Sequence, residues 1–158
     1  MRILGEFRRA DGAIVRRFTG SERKMIGNLA GGLAETMATA DDLEAYDDVV
    51  LRRLLPEAAP DDPDASAEFA SATRERLAAS KAENARRMVA DLEAAPGGVV
   101  RLDEAAALVW VTALGDLRIA LAERVGIENV QKASSPQGLM YAWLTWLQGS
   151  LVEVLDAG

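Results

Sequence analysis

Four polar residues fall where helical spacing predicts apolar faces: Lys81, Asn84, Asp116 and Arg118. Burying an unpaired charge is costly, so groups placed this way are paired with one another or line a pocket. The simpler reading is a structural network in which Lys81 snorkels, Asn84 bonds a backbone carbonyl and Arg118, mostly buried, pairs with a carboxylate or backbone carbonyl. The functional reading is a polar pocket on the helical seam that binds a small anion or a partner's side chain, or serves an enzyme. A closed, mutually bonded network favours the first reading, and an open concavity reaching all four side chains favours the second.

A second group is basic. Residues 1–24 carry seven basic and three acidic side chains, whereas residues 35–64 carry ten acidic against Arg52 and Arg53, in a chain of net charge −7. Arg8, Arg9, Arg16 and Arg17 flank Asp11-Gly12, a pair suited to a hairpin turn, and are expected to face water and meet an acidic partner. A two-stranded ribbon fits a major groove, but four arginines on a net-acidic chain favour an acidic protein over direct nucleic-acid contact.

Much chemistry is excluded at the outset. The 158 residues contain no His and no Cys, which removes the commonest general base, thiol nucleophiles, disulfides and Cys/His zinc sites. The acidic stretch Asp41, Asp42, Glu44, Asp47 and Asp48, and the loop Asp61, Asp62 and Asp64, lack the spacing of a calcium loop and read as solvated surface. Gly27, Gly31 and Gly32 lie in a helical pattern and not after a strand, so no phosphate loop is present. No cofactor and no metal are expected.

The elements that must position these residues follow from local signals. Two short strands between Phe7 and Phe18 flank the turn; a two-residue turn sets Glu6 opposite Arg17, and a three-residue turn with a bulge sets it opposite Arg16. Thr19 and Glu22 have capping-box spacing, and Met25, Ile26, Leu29, Leu33 and Met37 continue a helix to about residue 38. Its glycines imply close approach of another backbone or a soft helix. A short helix over 47–55 precedes a proline-rich loop at 56–63, and Asp64 is suited to cap a long helix to about residue 95 whose stripe is Ala70, Leu77, Met88 and Leu92. Val99–Leu102 is suited to add a third strand. Asp103 caps a helix ending at Gly126 that is apolar nearly all round, with Trp110, Leu114, Leu117 and Leu121 on one side and Leu108, Val109 and Ile119 on the other, and is therefore central. Ser135-Pro136 opens the last helix.

The expected fold is mainly α, one domain over residues 1–158: a five-helix bundle around the 103–125 helix, with an N-terminal β-hairpin that a third short strand can extend. Without a run of about 18 apolar residues or a signal-like N-terminus, the expected location is cytoplasmic, with no membrane contact.

Leu54-Leu55-Pro56-Glu57-Ala58, Glu68-Phe69, Lys81 with Asn84, Gly115 through Leu121, Trp143-Leu144, Gln148 and Ser150-Leu151-Val152, in that order, resemble the actinomycete family of AosR-like oxidative-stress regulators, formerly a domain of unknown function. The likeness runs from about residue 1 to 156. It implies a non-enzymatic transcriptional regulator of redox and sulfur metabolism that acts through a sigma factor or other polymerase subunit and senses oxidant through a cysteine pair. This sequence departs from that picture, because without cysteine no disulfide or sulfenic acid forms. Met25, Met37, Met88 and Met140 remain oxidisable, although methionine at helical spacing is ordinarily core filler.

Overall fold

The computed structural model describes residues 5–40, 48–55, 63–132 and 134–158, apart from the side chains of 63–68 and 70. Asp41, Asp42, Glu44, Asp47, Asp61, Asp62 and the loop at 56–62 lie outside them. The expected mainly α architecture is present, with a three-stranded antiparallel sheet in the order β1-β2-β3, comprising β1 (Arg8–Ala10), β2 (Ala13–Arg17) and β3 (Val99–Leu102). Six helices follow from the described residues: α1 (Gly20–Ala38), α2 (Val49–Leu54), α3 (Pro63–Glu93), α4 (Glu104–Val125), α5 (Ile127–Gln131) and α6 (Pro136–Ala157). α5 adds one short helix to the five expected, and α3 opens at Pro63, which puts Asp64 inside the helix.

Asp11 (φ 52°) and Gly12 (φ 79°) both adopt positive φ, so the hairpin closes through the two-residue turn and pairs Arg8 with Val15 and Ala10 with Ala13. Because β2 lies between the other strands and pairs Ile14 with Leu102 and Arg16 with Val100, Ile14, Arg16, Val100 and Leu102 share the inner face. Phe18 continues that parity. Gly98 joins the sheet to the helices: its φ is 82°, and a Cβ there would lie 2.6 Å from the Phe18 carbonyl oxygen, so only glycine fits.

Thr19 and Glu22 form the expected capping box of α1, Asp103 caps α4, Gly126 follows it at φ 85°, and Ser135 caps α6. α1 packs against α3, with Ile26, Ala30, Leu33 and Met37 buried on one helix and Ala78, Ala82, Ala85, Met88 and Leu92 on the other. This corrects the expected α3 stripe: Met88 and Leu92 belong to it, but Leu77 is exposed and alanines take its place. The α1 glycines do not mark a close approach, since nothing lies within 4 Å of a Cβ at Gly27, Gly31 or Gly32. They leave a softer helix.

α4 is the one helix among the described residues whose length and apolarity match a membrane span. Its contacts with α2, α3, α5, α6 and the strands account for that composition as the bundle centre. Trp110 is fully buried under the sheet, its ring 6.1 Å from Phe7 and 5.7 Å from Phe18, and its Nε1 donates to Asp91 Oδ2 at 2.8 Å. The second apolar side expected for α4 is covered in part: Leu108 is 59% exposed, whereas Val109 and Ile119 are half-buried and Ile119 packs against the core.

Candidate functional site

The four polar seam residues divide between two sites. Lys81 Nζ of α3 donates to Asp116 Oδ1 of α4 at 2.8 Å, an ion pair in which both side chains are largely buried. Burial pushes the Asp116 carboxyl above its ordinary range, and the Lys81 hydrogen bond and charge offset only part of that rise. Asp116 Oδ2 is buried without a hydrogen bond among the described residues. Asn84, one turn beyond Lys81, is half-buried, and its side chain makes no hydrogen bond among the described residues, contrary to the expected bond to a carbonyl.

Arg118 sits at the α4–α6 contact. Its Nη1 donates to Gln148 Oε1 at 2.6 Å and its Nη2 to the Tyr141 hydroxyl at 3.3 Å, with the guanidinium 5.2 Å from the Tyr141 ring centroid. Gln148 Nε2 in turn donates to the Val111 carbonyl at 2.9 Å. The expectation of a mostly buried Arg118 bonded to a carboxylate or carbonyl is therefore corrected. Arg118 is half-buried, and α6 offers it an amide, a phenol and the face of the Tyr141 ring, while its Nε is buried without a hydrogen bond among the described residues. Surface cavities of 240 to 370 Å³ open beside α1, α2 and α3, and none is lined by Lys81, Asn84, Asp116 or Arg118. Each pairing leaves one buried polar atom, Asp116 Oδ2 and Arg118 Nε, without a hydrogen bond among the described residues, and neither opens into one of these cavities. Among the described residues no three acidic side chains converge to hold a metal ion.

The hairpin arginines also divide. Arg16 is 5% exposed, and its position on the inner face overturns its expected exposure. Its Nε donates to the Gly5 carbonyl, and its Nη1 and Nη2 donate to the two Glu22 carboxylate oxygens, each at 3.2 Å. The guanidinium lies 4.4 Å from the Phe18 ring centroid, 5.6 Å from Trp143 and 6.0 Å from Trp146. It thus clasps the sheet to α1 and α6. Burial pushes the Glu22 carboxyl up, but the bonds from Arg16 and the Thr19 backbone, with the Arg16 charge, outweigh it and hold the group below its ordinary range. Arg9 is exposed, as expected, and at the sheet edge it donates to Glu104 Oε1 at 3.2 Å.

Arg8 and Arg17 do face water, and sequence reasoning missed their neighbour. Val15 pairs with Arg8 on one side and Arg101 on the other, so Arg8, Arg17 and Arg101 share the outer face of the sheet. The strands flanking β2 lie about 10 Å apart, which gathers three cations over one small patch. None of the three forms a salt bridge among the described residues. The signal for Arg101 was present in the Val99–Leu102 strand, whose alternation sends Val100 and Leu102 inward and Arg101 outward. Asp48, the described member of the acidic stretch, caps α2 and pairs with Arg124 at 2.8 Å.

Comparison with known proteins gives a family and relatives. The family model described as Domain of unknown function (DUF2017) matches residues 4–155. A Mycobacterium bovis protein named Oxidative stress regulator AosR is 30% identical over 203 aligned positions, covering 96% of this chain and 93% of the relative. The Mycobacterium tuberculosis H37Rv protein of the same name gives the same identity and coverage. The alignment is longer than the 158-residue chain, so these relatives carry insertions relative to it. No solved structure matches the chain.

Proposed function

The chain belongs to the DUF2017 family, and from that premise we propose that it is a non-enzymatic regulator in the oxidative stress response, the role its curated relatives are named for. It acts in the cytoplasm by protein contact with the transcription machinery, through an acidic surface of a sigma factor or other polymerase subunit, to regulate redox and sulfur metabolism. The observation that carries the docking mode is the outer sheet face, where Arg8, Arg17 and Arg101 gather on a chain of net charge −7. Opposite charge across an interface speeds encounter and excludes wrong partners. The alternative of a small-molecule pocket on the seam draws no support, since Lys81 with Asp116 and Arg118 with Gln148 are separate pairings and line none of the cavities described above.

The test is capture from native cells with the wild-type protein and with an Arg8→Ser/Arg17→Ser/Arg101→Ser variant. A sigma factor or polymerase subunit in the wild-type eluate, depleted with the variant, supports the proposal; equal recovery removes the outer face from the interface. The variant should melt within about 0.5 kcal/mol of wild type, as exposed positions do.

The relatives' role concerns oxidants, yet this chain has no thiol. Hydrogen peroxide at levels that oxidise reactive thiols should therefore leave its oligomeric state and partner binding unchanged. Gel filtration and binding before and after peroxide check this. A rapid change reversed by a thiol reductant in the purified protein alone would contradict it, whereas a change confined to the complex would place the sensing thiol on the partner.

A further inference from the structure

We propose that the cleft between the start of α1 and the end of α3 binds a phosphate monoester with a small aliphatic body. Five cations among the described residues are buried or half-buried: Arg16, Arg23, Arg74, Lys81 and Arg118. Arg16 meets Glu22, Lys81 meets Asp116, Arg118 meets Gln148 and Tyr141, and Arg74 is engaged as well. The Arg23 side chain alone has no partner among the described residues. Its Nε is enclosed without a hydrogen bond, 3.9 Å from where a Gly98 Cβ would lie. A charge drawn out of water without a counter-ion is costly, and this one borders a cavity in which an anion would supply what the fold does not.

Arg23 and Lys24 of α1 line this cavity of about 340 Å³ with Gly27, and α3 contributes Val89, Leu92 and Glu93. Small ligands occupy sites of about 300–1,000 Å³. Lys24 forms no salt bridge among the described residues, and Glu93 pairs with neither cation. Gly27 keeps the cleft open. Nothing lies within 4 Å of where its Cβ would be, so packing does not call for a glycine there, although glycine weakens the helix that carries it.

The lining decides the class of ligand. A guanidinium presents a planar fork and an ammonium a compact charge, and the two together suit a phosphate group, whose charge of about −1.5 to −2 near neutral pH matches two cations better than a carboxylate does. Val89 and Leu92 offer an aliphatic body apolar surface, and no aromatic side chain among the described residues lines the cleft for a nucleobase to stack on. Glu93 opposes the anion from the α3 side and lowers its affinity. None of Arg8, Arg17 and Arg101 lines the cleft, so this inference stands apart from the docking of an acidic protein.

Titration of the full chain with monobutyl phosphate at constant ionic strength, followed by calorimetry and by the NMR resonance of the Arg23 Nε–H, tests the proposal. That group is shielded from solvent and reports directly on the guanidinium. Saturable binding with a Kd at or below about 1 mM is expected, at least about threefold tighter than inorganic phosphate or butyrate. Arg23→Gln should weaken binding at least tenfold, and Glu93→Gln should tighten it. Gly27→Leu fills the cleft without altering a charge, and should abolish binding while the far-UV circular dichroism is kept and the melting temperature is kept or raised. Arg76→Gln, which removes an exposed cation elsewhere on α3, should leave the affinity unchanged. No response up to about 10 mM, inorganic phosphate or butyrate binding as tightly as the ester, full binding by Arg23→Gln or Gly27→Leu, or an equal loss with Arg76→Gln would overturn the proposal.

Discussion

Replacing Arg16 with Ala is expected to lower stability by about 3 kcal/mol, because it strands the Glu22 carboxylate and empties a space between Phe18, Trp143 and Trp146. Breaking a fully buried pair costs about 3–5 kcal/mol. The Glu22 side chain retains 23% exposure, so water relieves part of its loss and the lower end applies. For a chain of this size the melting temperature should fall by about 10 °C. Arg16→Lys should recover only part of the loss, since an ammonium cannot present a fork to both carboxylate oxygens or lie flat on Phe18. Acid dependence gives a second readout. The folded Glu22 carboxyl titrates below its ordinary value, so its stabilising contribution is complete above that ordinary value and is lost as pH falls through the lowered one. In the Ala variant this acid-side loss should shrink. A change within about 0.5 kcal/mol would show that Arg16 behaves as a surface residue.

Lys81→Met should cost about 2–3 kcal/mol near neutral pH, with a dependence on pH opposite in sense to that of Glu22. The substitution leaves the Asp116 carboxylate, 5% exposed, without its counter-ion. Asp116 already titrates above its ordinary value in the fold. Its protonation therefore favours folding, an effect fully present below the ordinary carboxylate value and lost as pH rises through the raised one. The penalty of Lys81→Met should accordingly shrink as pH falls through the raised Asp116 value, because the neutral acid needs no counter-ion. Adding Asp116→Leu should restore most of the lost stability, since exchanging both partners of a buried pair for apolar groups is often neutral. Urea denaturation over a pH series checks all three variants, and a Lys81→Met penalty equal at neutral and acid pH would contradict the account.

What was legible in the sequence was largely local. The capping box of Thr19 and Glu22, the Asp103 cap, Gly126, Ser135-Pro136 and the Asp11-Gly12 turn each act over a few residues, and each is in place. The central position of α4 followed from its composition. The α3 face was misplaced because a search for large side chains passes over alanines, and alanines let α1 approach closely. Arg16 was misplaced for a different reason. Strand alternation already put it on the face of Ile14 and Phe18, but the rings that let an arginine reside there, Trp143 and Trp146, come from the far end of the chain. Arg118 shows the same limit, since Gln148 and Tyr141 meet it only once α6 has docked. Of the four hairpin arginines, Arg8, Arg9 and Arg17 keep the exposure expected of them, Arg9 being tied to Glu104, and Arg101 joins Arg8 and Arg17 through β3.

The central claim is that this outer face docks an acidic protein. It is tested most directly by the association rate of the captured sigma factor or polymerase subunit with the wild-type chain and with Arg8→Ser/Arg17→Ser/Arg101→Ser, measured across a salt series. Salt shortens the Debye length from about 10 Å at 0.1 M to about 3 Å at 1 M, so electrostatic steering fades over that range. The wild-type rate should fall steeply with salt, and the variant should start lower and change little. Equal rates and equal salt dependence in the two proteins would contradict the claim.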